Sequence, residues 1–457
     1  MMAIGKHQEK PKNCYVRDLG GWLTAVAAAI VLAPGAAQAL PSFARQTGQP
    51  CAACHSGFPE LTPYGRLFKL KGYSSTGGNS DVPPIAVMVQ PSFTHTQEPE
   101  PGTAHFGPND NFAVDQTSLF YGGAIDSAIR LGAFAQMTYD GVARHLAWDN
   151  TDIRWAHPTT LSNGDDFIYG VTLNNNPSVS DVWNTTPAWR FPFAQSGWAA
   201  APAASTLIEG GLAQKVLGLG GYAYWNDLVY AEFDAYRTLS TRTLTTLGTD
   251  STSRSSIDGV APYWRLALEP SWGPNSWEFG TFGMSASEYP QLNVSAGTDQ
   301  QTDLGLDTEY QYNGERSEVG VEASYIHEWD DWSASQPLGL ATNTHDTLDS
   351  YNVKTSYFYN HTYGVNLSYF QTNGSTDAAL YGTNSANDSP NSAGFVAELD
   401  YIPFSNGGPN FWPWLNMRLA LQYIAYTKFN GGTTNYDGNG HNASDNNTLY
   451  LLAWLMF

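Results

Sequence analysis

Residues 303–325 read DLGLDTEYQYNGERSEVGVEASY, and this pattern describes two β-strands joined by a tight turn. On both sides of Asn313-Gly314, apolar or aromatic residues alternate with acidic residues, other polar residues and glycine. Period-two alternation predicts strands with one apolar and one polar face, and an Asn-Gly dipeptide predicts a two-residue hairpin turn. Repeated segments of about ten residues with this alternation are the signature of a transmembrane β-barrel.

The alternation continues from Ile85 to Phe457 and predicts an all-β transmembrane barrel of about 16 antiparallel strands, with about 14 or 18 as alternatives. Bacterial single-chain barrels have an even number of strands, and a barrel of about 16 leaves a lumen. The last segment alternates and ends in Phe457, as outer-membrane barrels usually do. A soluble β-sandwich or propeller is the alternative fold. The predicted strands lie near residues 85–97, 112–125, 127–140, 147–156, 165–175, 211–225, 227–238, 261–270, 275–286, 301–313, 316–328, 349–360, 362–372, 394–404, 416–427 and 447–457.

The composition agrees with this fold and disfavours a nucleic-acid partner. The chain contains 44 Gly, 15 Trp, 26 Tyr and 21 Phe, and only 14 % of its residues are charged. No apolar run of about 18 residues follows the N-terminal region, so no membrane-spanning helix is expected there. The net charge of −21 at pH 7 repels nucleic acid and suits cations or a basic redox partner.

Residues 1–39 have the features of a secretory signal peptide. Basic residues precede a short apolar run, Trp22 to Leu32, which is too short to span a bilayer as a helix. Ala37-Gln38-Ala39 provides a small-x-small cleavage site, so we expect the mature chain to begin at Leu40. Cys14 would be removed with the peptide, which leaves two cysteines in the mature chain.

These two cysteines stand in Cys51-Ala52-Ala53-Cys54-His55, the attachment motif of a covalently bound haem c. In such a motif the two thiols form thioethers with the porphyrin, and the following histidine is the proximal ligand of the iron. A zinc site would need about four ligands, and no second cysteine pair exists. The sequence therefore predicts one haem c attached at Cys51 and Cys54, with His55 below the iron.

The motif lies in a short N-terminal unit, residues 40–73, which we expect to be helical. Ser42 is expected to cap a helix over residues 43–47, Thr62 to cap a second helix with Pro63 at its first position, and Gly72 to end that helix. So short a unit cannot build an apolar core unaided, and haem would supply that core. Residues 74–84, rich in Gly, Ser and Pro, are a linker to the barrel at 85–457.

The haem motif and its flanking residues resemble those of a known family. Residues 43–48 (FARQTG), 51–55 (CAACH), 58–66 (FPELTPYGR), 68–69 (FK) and 72–73 (GY) are similar to the N-terminal motifs of the fused cytochrome–porin family of bacterial outer membranes. Residues 181–192, DVWNTTPAWRFP, resemble a loop of the same family. The resemblance implies a monohaem domain that plugs a 16-stranded barrel, and its best-known members oxidise ferrous iron outside the cell.

From this resemblance we expect an electron conduit. One haem would carry electrons from extracellular Fe(II), or another donor, to a periplasmic cytochrome c. A bilayer core is about 30 Å thick, and a unit of about 40 residues has a radius of gyration of about 9 Å, so the unit could sit inside the barrel. No catalytic acid, base or nucleophile is required. An outward conduit that reduces an external acceptor, and a channel or transporter with a structural haem plug, are the alternatives.

The second iron ligand and the propionate partners are open at this stage. Met88 would face the lumen on the first strand and is the first candidate for the distal ligand. His95 on the same strand is the alternative, because a bend at Pro91 could change its facing, and His105 is a weaker one. Three basic residues near the motif are candidates for propionate contacts, namely Arg45, Arg66 and Lys69.

The inward faces of the predicted strands are acidic, which predicts a lumen that attracts cations. The segment 176–205 has no strand pattern and is either an inward-folded loop or an extracellular one. The cation-attracting candidates are Asp303, Asp307, Glu309, Glu318 and Glu322, and other inward carboxylates are Glu232, Asp234, Glu398 and Asp400.

Overall fold

The computed structural model describes residues 40–78, 82–103, 105–186, 191–249, 255–408 and 413–457. The predicted signal peptide, residues 1–39, and residues 79–81 of the predicted linker lie outside these ranges.

Sixteen long strands form one closed antiparallel barrel. Each strand pairs with the next along the chain, and the last pairs with the first. The strands are β1 Ile85–Thr96, β2 Asn111–Asp126, β3 Leu131–Asp140, β4 His145–Thr160, β5 Asp166–Asn174, β6 Val216–Trp225, β7 Val229–Thr238, β8 Ala261–Leu268, β9 Asn275–Tyr289, β10 Asp299–Asn313, β11 Ser317–Asp331, β12 His345–Tyr359, β13 Tyr363–Gly374, β14 Ser392–Tyr401, β15 Asn416–Lys428 and β16 Thr448–Met456. Two-residue strands, Ser256–Ile257 and Ser271–Trp272, add short pairings to β9.

The predicted barrel is confirmed, and each predicted span overlaps one strand. The boundaries differ where turn geometry intervenes. The third strand begins at Leu131 and not at residue 127, because the chain turns before it: the Arg130 amide donates to the Ser127 carbonyl, and Arg130 has a positive φ of 59°. The hairpin between β10 and β11 turns slightly later than predicted: Asn313 ends β10 and pairs with Glu318, the Gly314 amide donates to the Ser317 carbonyl, and Glu315 and Arg316 form the tip.

The barrel is apolar outside and polar inside. On β10, Leu304 and Leu306 are 43 % and 57 % exposed on the outer face, whereas their neighbours Asp303 and Asp307 are buried. A closed barrel leaves no sheet edge unpaired, which is what a bilayer demands of a strand that crosses it. These features are those of a bacterial outer-membrane barrel, and they confirm the predicted location.

The helices of the described residues are short. They are α1 Pro41–Thr47, α2 Pro63–Leu70, α3 Pro177–Ser180, α4 Thr241–Thr246 and α5 Ala378–Tyr381. Among the residues that the structure describes, no helix has the length and apolar character needed to cross a membrane.

Residues 40–73 form two helices joined by a 3₁₀ turn, Cys51–Ala53, and a small hairpin, His55–Gly57 with Glu60–Leu61. Helix α2 is capped as predicted, because the Thr62 hydroxyl accepts a hydrogen bond from the Gly65 amide. The prediction for Ser42 is wrong: α1 begins at Pro41, one residue earlier, so Ser42 lies inside the helix and makes no cap. Proline at the first position needs no amide partner, which explains the earlier start.

This N-terminal segment contacts inward-facing side chains from several parts of the barrel wall. Phe58 packs edge-on against Trp454 of β16 at 4.9 Å between ring centroids. The Tyr73 hydroxyl donates to Asp152 of β4 at 2.6 Å. On the opposite side, Arg66 forms an ion pair with Glu309 of β10 at 3.0 Å. The segment therefore lies within the ring of strands.

The segment between β5 and β6 folds inward as well, which decides between the two alternatives from the sequence. Lys69 donates to the carbonyl oxygens of Val179 and Asp181. Trp183 is fully buried, and the Gln422 amide of β15 donates to the Ala194 carbonyl at 2.9 Å. Residues 187–190 of the family-like loop lie outside the described residues.

Candidate functional site

Local hydrogen bonds fix the Cys51–His55 turn. The Thr62 hydroxyl donates to the Ala53 carbonyl at 2.8 Å, and the Thr62 amide donates to the Cys54 carbonyl at 2.9 Å. The Ala52 amide donates to the Ser405 carbonyl at 3.1 Å, which ties the turn to the barrel. Both cysteines are free of disulfides. The residue that caps α2 thus also holds the loop between the two thiols.

His55 is held in one tautomer. Its Nδ1 lies 2.9 Å from the Pro59 carbonyl oxygen and 3.2 Å from the Glu60 carbonyl oxygen. Two acceptors at Nδ1 require a proton there, so the lone pair remains on Nε2. Burial lowers the pKa of His55 to about 4, which keeps the imidazole neutral. A neutral imidazole whose other nitrogen donates to a carbonyl is the usual state of a metal-ligating histidine.

The two thiols are also kept neutral. Burial raises the pKa of Cys51 well above its usual range and raises that of Cys54 to about 12. Such thiols are poor spontaneous nucleophiles and poor metal-binding thiolates.

Two adjoining cavities meet at His55. One is lined by Cys51 and Cys54, and the other is lined by Met88 and by aromatic rings. The cavities share the residues Phe43, His55, Leu61, Lys69 and Tyr73. Two thiols on one side, a neutral imidazole between the cavities and mainly apolar walls are the residue types that a haem c attached to the chain requires.

Met88 faces this space, as the alternation on β1 predicts. It is 1 % exposed, and the Gln90 amide nitrogen lies 3.5 Å from its sulfur. A second thioether, Met456 of β16, lines the same cavity and was not found from the sequence. A closed barrel implies that the last strand pairs with the first, but the register that sets Met456 opposite Met88 is not given by the sequence pattern.

The structure brings neither histidine alternative, His95 nor His105, to the cavities beside His55. His95 lies on the outer face of β1, half-exposed and paired with Asp110 at 2.7 Å. The expected change of facing at Pro91 does not occur, because the irregularity is absorbed by the partner strand: Asp115 of β2 is left without a register partner. His105 is exposed in the loop between β1 and β2. Neither histidine lines the cavities beside His55.

Of the three basic candidates for propionate contacts, only Lys69 lines the cavities. Burial lowers its pKa to about 8, and Asp152 opposes that shift. Arg66 is the wrong choice, because its guanidinium is engaged by Glu269 and Glu309. Arg45 is turned away as well: it donates to the Ile85 carbonyl at 2.5 Å and stacks over Trp414 at 4.7 Å.

The five lumen carboxylates face inward as predicted, but all are buried and partnered. They do not form an open acidic surface, because cations or amide groups of the chain compensate their charge and hold the inner segments in place. The partners are the Ile208 amide for Asp303, Arg265 and Thr185 for Asp307, Arg66 for Glu309, His361 for Glu318 and Lys354 for Glu322.

One group of carboxylates crosses from the N-terminal segment to the barrel wall. An oxygen of Glu60, one of Glu309 and one of Glu322 all lie within 4.8 Å of one another. Burial raises the pKa of Glu60, against the influence of Lys354. The Glu60 backbone carbonyl accepts a hydrogen bond from His55. The carboxylate group is therefore linked to the haem motif through the backbone of Glu60.

Lys354 is one of the residues that line a third cavity. Its lining is more polar than that of the cavities beside His55 and includes Glu209, Ser350 and Asn352. Lys354 lines this cavity and also pairs with Glu322, a member of the carboxylate group with Glu60 and Glu309, at an N–O distance of 2.6 Å.

Comparison with known proteins finds distant structural similarity and no sequence relative. No family model and no curated protein sequence matches the chain. Among solved structures, an anion-selective porin from Comamonas acidovorans is 12 % identical, with a TM-score of 0.43, over 81 % of this chain and 98 % of that one. Salmonella typhi OmpF, solved with daunomycin, is 11 % identical, with a TM-score of 0.42, over 82 % and 97 %. The outer-membrane channel DcaP of Acinetobacter baumannii is 11 % identical, with a TM-score of 0.41, over 82 % and 96 %. Likeness at this level carries no inference about substrate or partner.

Proposed function

We propose that this protein is an outer-membrane electron conduit of the fused cytochrome–porin type. One haem c, attached at Cys51 and Cys54 with His55 as proximal ligand, occupies the cavities at His55 inside the barrel. The single observation that carries the proposal is that His55 lines two adjoining cavities, one of which is also lined by both thiols and the other by the Met88 thioether. A haem bound there supplies a carrier that accepts and releases one electron.

The chain's own residues give this carrier its position and surroundings. The Pro59 and Glu60 carbonyls orient His55, and the edge-on Phe58–Trp454 contact covers the space with apolar surface. Low polarity around a haem and a thioether opposite the histidine both favour a high reduction potential. Lys69 is the basic candidate that lines both cavities, and its ammonium already donates to the Val179 and Asp181 carbonyls, so a propionate would have to share or replace these contacts.

The proposed direction of electron flow is inward. Fe(II) outside the cell gives up one electron and becomes Fe(III), and the electron leaves to a periplasmic cytochrome c. The bilayer core of about 30 Å is too thick for a carrier on one surface to serve both sides. A carrier within the barrel shortens that path, and the packed segments around Arg66 and Trp183 oppose ion leakage.

The decisive experiment is stopped-flow reduction of the purified protein in detergent by Fe(II). We expect a covalent haem, visible as peroxidase stain on a denaturing gel, and reduction of that haem by Fe(II) at the acidic pH where Fe(II) is stable. Cys51→Ser/Cys54→Ser should lose the stain while keeping the heat-dependent gel mobility of a folded barrel. Loss of the stain from the parent protein on denaturation would refute covalent attachment.

Two other outcomes would reassign the function. A midpoint potential well below that of Fe(III)/Fe(II) at the working pH would favour an outward conduit that reduces an external acceptor. Steady ion conductance in planar bilayers, with no reduction by Fe(II), would favour a channel with a structural haem.

A further inference from the structure

The barrel closes at a seam where β1 pairs with β16, and this seam forms part of the cavity beside His55. Val87 and Phe457 exchange both backbone hydrogen bonds, at 2.9 and 2.8 Å. The adjacent register pair is Met88 with Met456. In an antiparallel ladder, the pair next to a hydrogen-bonded pair has its Cα atoms only about 4.5 Å apart, with the side chains close together. The two methionines are therefore immediate cross-strand neighbours.

Both methionines point inward and line the same space. Met88 is 1 % exposed and Met456 is 2 % exposed, and they share one apolar cluster with Phe58 and Trp454. His55 lines this cavity too, and its ring packs against Phe58 at 5.3 Å between centroids. The same cavity is thus lined by the imidazole of His55 and by two buried thioethers, those of Met88 and Met456.

The chemistry of the thioether makes the two side chains comparable. Methionine has three rotatable side-chain bonds and a polarisable sulfur, so its reach adapts to the position of a partner. The described residues that line this cavity offer no other sulfur and no second histidine. The Gln90 amide nitrogen approaches Met88 at 3.5 Å, a weak contact that does not commit the sulfur elsewhere.

We propose that Met456 is a second thioether ligand of the haem iron, with the same reach as Met88, so that either side chain can take the position opposite His55. This inference rests on the proposed haem. The two candidate ligands lie on different strands, Met88 on β1 and Met456 on β16, and they are neighbours only because these strands pair to close the barrel. Replacing one methionine then leaves the other to ligate the iron.

The test compares Met88→Leu, Met456→Leu and the double variant by absorption spectroscopy and redox titration of the oxidised and reduced protein. Leucine conserves volume in a packed site. We expect each single variant to keep the far-red charge-transfer band of a thioether bound to ferric haem, with a shifted maximum. The double variant should lose the band, show a lower midpoint potential and bind carbon monoxide rapidly when reduced. Met284→Leu, a buried methionine of a separate cluster, is the matched control.

Loss of the band in either single variant overturns the inference, because the remaining methionine then only packs. Persistence of the band in the double variant, or its absence from the parent protein, overturns it as well. The single variants suffice if the double variant does not fold, which heat-dependent gel mobility reports. Haem stain persists in all these variants if the proposed function holds, whereas absence of stain from the parent protein refutes the proposed function itself.

Discussion

The guanidinium of Arg66 lies 3.0 Å from the carboxylate of Glu309 and also pairs with Glu269, and these contacts join helix α2 to the barrel wall. All three side chains are at least 97 % buried. Arg66 is the cation of this cluster, and Glu269 and Glu309 are its two carboxylates. If Arg66 is removed, the two negative charges remain buried without a positive partner.

Arg66→Met should therefore loosen the inner segment. Removing one partner of a buried ion pair typically costs about 3–5 kcal/mol, because the remaining charge stays buried and unpaired. We expect a lower unfolding temperature in detergent and ion conductance in planar bilayers above that of the parent protein. Arg144→Met, at an exposed position between β3 and β4, is the control. Unchanged conductance in Arg66→Met would mean that other contacts suffice to seat the segment.

For the buried ion pair between Glu322 and Lys354, we expect that removing one charge destabilises the protein more than removing both. Glu322→Gln leaves Lys354 buried without its carboxylate, and we expect a loss of about 3–5 kcal/mol of stability. Lys354→Met in the same chain should recover most of that loss, because removing both charges of a buried pair is often neutral. A double-mutant cycle from chemical or thermal unfolding measures the coupling. Additive losses would show that the two groups act independently.

The sequence predicted every barrel strand and the cap of helix α2, because both depend on local signals. Alternation gives the face of each residue, and Thr62 before Pro63 gives a helix start. Alternation also placed Met88 inside, and it remained valid past Pro91 because β2 absorbs the irregularity at that point.

Contacts between residues far apart in the chain could not be predicted from local sequence patterns. Arg66 and Glu309 are separated by 243 residues, and a period-two pattern reports that Glu309 faces inward without reporting what it meets. The sequence likewise showed that the lumen carboxylates face inward but not which cations they meet, such as Arg66 of the N-terminal segment and Lys354 of β12. Met456 escaped notice for the same reason: its neighbour Met88 belongs to the opposite end of the strand order.

Gly65→Ala tests whether helix α2 positions the haem motif. A Cβ at Gly65 would lie 2.2 Å from the Cys54 carbonyl oxygen, which is backbone and cannot swing aside. The helix must then shift, and overpacking of this kind costs about 1–3 kcal/mol. We expect a reduced ratio of covalent haem to protein, measured by pyridine haemochrome absorbance. Gly221→Ala, where the nearest atom lies at 3.6 Å, should leave the ratio unchanged.

The hydrogen bonds of His55 permit a sharper test of its role. His55→Gly should leave haem attached through Cys51 and Cys54 but remove the proximal ligand, so the spectrum becomes high-spin. Added imidazole should restore the low-spin spectrum, because it can bind the iron and donate its N–H to the Pro59 or Glu60 carbonyl, as His55 does at 2.9 and 3.2 Å. 1-Methylimidazole binds iron equally well but has no N–H to donate. One lost hydrogen bond of about 1.4 kcal/mol corresponds to a tenfold weaker half-saturation. Equal half-saturation concentrations for the two ligands would show that these carbonyls do not orient the proximal ligand.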